Sequence, residues 1–143
     1  MKLFILFFFI PLNLFSQENK DEIYYTSKII YLETEDSLLN TVSSIPFGKD
    51  VHIGVDTIFK KYTIMYTDED NKKKVMILKF IRNYFDKNDM ADSKIYLMQS
   101  QNHLFMLVDY MDHPLINSLA LTDEKQLPNG RFMVLRIRNV KPK

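Results

Sequence analysis

The sequence predicts a mainly β protein made of antiparallel strands. Past residue 22 apolar side chains recur with a period of two, as in Val51, Ile53 and Val55 set between His52, Gly54 and Asp56. That period sends alternate side chains to one face of a strand. The same runs are rich in β-branched and aromatic residues, which fit a pleated surface. Short polar, Pro or Gly clusters separate them, as hairpin turns require.

The elements follow in order. Ile23–Leu32 (IYYTSKIIYL) reads as the first strand, and Glu33–Asn40 (ETEDSLLN) as a polar turn. IPFGKD, with Pro46 and Gly48, reads as a further turn before the strand at Val51–Val55. In Lys61–Thr67, Tyr62, Ile64 and Tyr66 share a face; Asp68–Lys73 forms a polar tip, and Lys74–Ile81 returns as the partner strand. Arg82–Ser93 breaks the alternation and reads as a short helix or a linker. A second hairpin follows, KIYLMQ and HLFMLVDY joined through Ser100-Gln101-Asn102, and Asp112-His113-Pro114 ends it. Leu115–Leu121 fits strand or helix equally, Asn129-Gly130 is a turn, and Phe132–Val140 closes the chain as a strand.

Before the strands stands MKLFILFFFIPLNLFSQ. Its apolar run, Leu3–Phe15, covers 13 positions, whereas a membrane-crossing helix needs roughly 20. A positive Lys2, an apolar middle and the small Ser16 form the three parts of a secretory signal. The expectation is cleavage near Ser16/Gln17, with the mature chain periplasmic or extracellular and holding no stable membrane span. Removing residues 1–16 from 143 leaves 127, enough for one compact domain.

The excised piece carries Lys2 and no acid, so Lys and Arg fall from 19 to 18, matching 18 Asp and Glu. A chain without net charge is a poor ligand for nucleic acid, which needs concentrated positive surface. There is no cysteine, so neither disulfides nor thiolate chemistry enter, and stability must come from the core.

Over Ile30–Ile81 the chain resembles the bacterial SH3-like (SH3b) domains of secreted and envelope proteins. IYLET stands where their first strand motif lies, IPFGKDVHI resembles their turn and following strand, and KKYTIMYTDEDNKKKVMILKFI resembles the remaining hairpin. Glu33 replaces the usual arginine, and the family's Gly-Trp pair is absent. The resemblance implies a small SH3-like barrel over 17–82, with 83–143 as a β extension or second small subdomain. It also implies a non-enzymatic envelope module that recognises a peptide, a cell-wall fragment or a protein partner. The alternative is one larger, calycin-like β-barrel carrying a small apolar ligand inside.

Few residues are candidates for chemistry. Tyr62 and Tyr66 share a strand face and are the candidate ligand-binding residues, since an amphipathic tyrosine stacks on a sugar or peptide. Packing in the barrel interior is the competing reading for both. Asp109 and His113 have metal-ligand chemistry, but four strand rises set them roughly 13 Å apart, and no metal site is expected. Asp68-Glu69-Asp70-Asn71 resembles a calcium loop, but Lys72, Lys73 and Lys74 occupy the places of the glycine and later acid. Arg131, Arg136, Arg138, Lys141 and Lys143 line up as a basic stripe for an anionic glycan, a phospholipid or a partner; strand-edge charge against aggregation is the other reading. With Gly48, Gly54 and Gly130 the only glycines, no nucleophile elbow or phosphate loop can form. Neither an enzyme nor a cofactor is expected.

Overall fold

The computed structural model describes residues 21–85 and 94–143. The export segment expected at 1–16, and residues 86–93 of the expected helix or linker, lie outside them. The described chain forms β1 (Glu22–Glu35), β2 (Thr41–Asp56), β3 (Lys61–Thr67), β4 (Lys73–Asn83), β5 (Ile95–Ser100), β6 (His103–Tyr110), β7 (Ser118–Asp123), β8 (Phe132–Ile137) and β9 (Lys141–Pro142).

From β1 to β8 each strand pairs antiparallel with the next in sequence, and β8 returns to β1. The result is a closed barrel of eight strands, with β9 added beside the start of β1 through Tyr25↔Pro142 and Thr26↔Lys141. Closure removes the exposed edges that an open sheet would present. Residues 83–143, expected as an extension or second subdomain, supply β5 to β8 of this same sheet. The mainly β class and the small antiparallel barrel are as expected, and the barrel closes with eight strands in one sheet.

One hydrophobic cluster fills its middle. Ile30, Ile53, Ile64, Leu78, Met98, Leu107, Leu119, Leu121 and Ile137 are fully buried, and together they come from every strand of the barrel. Small eight-stranded barrels have an interior just wide enough for such side chains to fill.

The turns explain themselves locally. An aspartate opens several of them and caps the backbone: Asp56 Oδ1 accepts from the N–H of Ile58 and Phe59 at 3.0 and 3.1 Å. Asp68 does the same for Asp70 and Lys72, both at 2.9 Å, which is how the acidic tip is used. Asn129-Gly130 is a turn as expected, with Gly130 at φ 81°, a backbone region open to glycine.

Two sequence expectations are corrected here, the first only at its start. Asp36–Asn40 is the expected turn, closed by the Asp36 N–H donating to the Asn40 carbonyl at 3.0 Å, but Glu33–Glu35 before it still belong to β1. Pro46 and Gly48 lie inside β2, at a register break between Ile30↔Gly48 and Tyr31↔Pro46. A proline is tolerated in a sheet at such a bulge. Leu115–Leu121 resolves into a loop followed by β7.

Candidate ligand-binding mouth of the barrel

The meander gives the barrel two ends of different chemistry. At one end stand the start of β1, the ends of β2, β6 and β8, and the start of β3. Here Tyr62 is buried at 2% exposure, and its hydroxyl donates to Asp109 Oδ2 at 2.5 Å. Asp109 Oδ1 accepts the N–H of Met111 at 3.0 Å, so each carboxyl oxygen has a donor. Tyr25, also buried, donates to Asp112 Oδ1 at 2.9 Å, and Lys94 Nζ reaches Asp112 Oδ2 at 3.3 Å. Met111 and Val140 are buried beside them, and the ammonium of Lys60 lies 4.8 Å and 4.9 Å from the ring centres of Phe80 and Tyr96. Burial and the neighbouring negative Asp109 hold the Tyr62 phenol far above its ordinary range. This end is a plug.

The other end is a mouth. Leu32 of β1 pairs with Leu135 of β8, and Leu121 of β7 pairs with the same Leu135. With Phe47, Phe105 and Met133 they surround a cavity of about 180 Å³ that His103 and Asp123 also line. Strand alternation places these residues here. Phe105 and Leu107 point inward with His103, two residues earlier, at the rim, and Leu135 and Ile137 follow Met133 in the same way. Because β6, β7, β8 and β1 are neighbours in the closed sheet, rings and aliphatic chains distant in sequence converge. Met133 is 37% exposed, so the cavity opens to solvent and is not an internal void.

The candidate residues from sequence divide between these regions. Tyr62 stands in the plug, where a surface ligand does not reach it. Tyr66 is half-buried near the mouth, its ring 5.6 Å from that of Phe47 and tilted by 42°. Asp109 and His113 do not converge on an ion: His113 Nδ1 accepts the N–H groups of Leu115 and Ile116, both at 3.1 Å. Among the described residues no group of three or more His, Asp or Glu is placed to hold a metal. Sequence alone does not mark the mouth: Leu32, Phe105, Leu121, Met133 and Leu135 read as ordinary apolar strand positions, and Phe47 falls in the stretch that reads as a turn.

Two residues of the basic stripe, Arg136 and Arg138, are paired with carboxylates. Leu32 and Leu135 face inward, so their neighbours Glu33, Arg136 and Arg138 lie on the outer wall. Glu33 is fully buried there beneath the two guanidinium groups, with Arg136 Nε at 2.6 Å and Arg138 Nη2 at 2.8 Å from its carboxylate oxygens. Arg136 also pairs with Glu35, and Arg138 lies over the Tyr31 ring at 5.2 Å. The position where the SH3-like pattern carries arginine is thus the acceptor for two arginines from β8 and its exit.

No protein-family model, curated protein or solved structure matches this chain, so its own geometry carries the functional reading.

Proposed function

We propose that this protein is a non-enzymatic binding barrel that receives a small apolar ligand, or the apolar end of an amphiphile, in its mouth. The observation that supports this is the open cavity of about 180 Å³ rimmed by Leu32, Phe47, Phe105, Met133 and Leu135, above a barrel middle already filled. A dry apolar cavity of about 150 Å³ accommodates benzene, so the fitting ligand is one ring or a short alkyl chain. His103 and Asp123 at the rim leave a polar head in contact with water and side-chain partners. This is the small-ligand alternative from the sequence, placed in the mouth and not along the whole barrel interior. The reading includes export through residues 1–16, so the ligand is met outside the cytosol; a mature N-terminus near Gln17 in an exported fraction tests that part.

The binding test is a calorimetric titration with 1-hexanol. Saturable binding at one site is the expected result, lost in Met133→Lys while the far-ultraviolet circular dichroism stays that of the parent. Absence of saturable binding, or equal binding by the variant, contradicts the proposal.

A further inference from the structure

Two cavities meet at one residue. Phe47 borders the mouth, and it also borders a groove of about 220 Å³ between the β1–β2 wall, where Ile29 and Pro46 line it, and the polar β3–β4 tip, where Asp68, Glu69 and Asn71 line it. Three features show that Phe47 occupies an unusual place in the sheet. Ile30 pairs with Gly48 and Tyr31 with Pro46, so Phe47 is the extra residue of a bulge and has no partner on β1. A bulge takes its residue out of the ladder and re-aims the side chain. The next residue, Gly48, has no room for a side chain, because a Cβ there would stand 2.4 Å from Tyr66 Cδ2 and 3.0 Å from the Thr67 carbonyl oxygen. The Tyr66 ring takes that space and leans on the Phe47 ring. Phe47, the unpaired residue of the bulge, is thus the one described residue that lines both mouth and groove, with the Tyr66 ring of β3 packed against it.

Resting on the binding reading above, we infer that Phe47 determines the length of ligand the mouth accepts. Its ring stops an unbranched aliphatic chain from continuing out of the mouth along the Ile29 and Pro46 side of the groove. Shortening the side chain joins the two spaces and admits a longer chain. Each further methylene then removed from water favours binding, while a short chain gains nothing from the added room.

The experiment compares 1-hexanol and 1-decanol as calorimetric ligands of the parent, Phe47→Leu and Phe47→Ala. The ratio of decanol to hexanol affinity should rise in Phe47→Ala by roughly tenfold, the worth of about two more buried methylenes, and in Phe47→Leu by less. An unchanged ratio in variants that still bind hexanol overturns the inference and leaves the mouth as a binding site. A parent that binds neither alcohol removes the binding reading and this inference with it. Should Phe47→Ala not fold, the ratio in the conservative Phe47→Leu decides alone.

Discussion

The two ends of this barrel are made from the same alternating strands, yet one is closed by polar groups and the other is left open by apolar ones. At the plug, Tyr62 and Asp109 satisfy each other inside the wall, and Met111 gives the remaining carboxyl oxygen its donor. At the mouth, Phe47, Phe105, Met133 and Leu135 face one another across space that none of them fills. A buried polar pair must be complete, since leaving one member unpaired costs its full desolvation. An apolar rim carries no such condition and remains available to another molecule. Under the proposed function, stability and binding fall at opposite ends.

Substitutions at the plug should break the fold most strongly. Asp109→Ala removes the acceptor of the buried Tyr62 hydroxyl and of the Met111 N–H together. A loss of about 3 kcal/mol in unfolding free energy is expected, read by urea denaturation. A loss below about 1 kcal/mol would mean that the pair is not what closes this end.

Methionine truncation compares the ends with one chemistry. Met111 is 3% exposed and Met133 37%. Met111→Ala should therefore cost about 2–3 kcal/mol and Met133→Ala less than about 1 kcal/mol. Equal losses in the two variants would erase the distinction between a packed plug and an open mouth.

The smallest effect concerns pH. Burial, reinforced by Asp109, raises the folded-state pKa of Tyr62 above the ordinary phenol value of 10.0. The protonated phenol is thus favoured in the folded protein and ionises freely in the unfolded chain. Its stabilising contribution is complete below pH 10 and is lost progressively as pH climbs toward the folded-state value. Tyr62→Phe should lower stability at neutral pH by about 1 kcal/mol and flatten the decline above pH 10. An alkaline slope unchanged by the substitution would assign that decline to other tyrosines, such as Tyr25, whose phenol is also raised by burial and by Asp112.

How much of this was legible follows from what alternation can encode. The mainly antiparallel β class and the hairpins around Asp68–Lys73 and Ser100–Asn102 are visible in sequence because local side-chain periods and turn residues specify them. The extension of β1 to Glu35 and the start of β2 at Thr41 were not. Thr41–Ser44 is exposed, so no apolar face marks it as strand. Pro46 and Gly48 read as a turn because a bulge uses the same residues that turns use. Closure into one barrel depends on Ile30–Glu35 meeting Phe132–Ile137, a pairing across about a hundred residues that no local signal reports. The mouth is hidden for the same reason, since its lining comes from β1, β2, β6, β7 and β8. Tyr62 and Tyr66 illustrate the limit: their spacing shows a shared face, and only the closed sheet shows which end of the barrel each occupies.

The most direct measurement uses the methionines as reporters of both ends. With methyl-labelled methionine, a 1-hexanol titration followed by nuclear magnetic resonance should move the Met133 signal saturably. Met98 in the barrel middle and Met111 in the plug should hold still. A Met133 signal that stays fixed while Met98 or Met111 shifts would contradict the assignment of binding to the mouth.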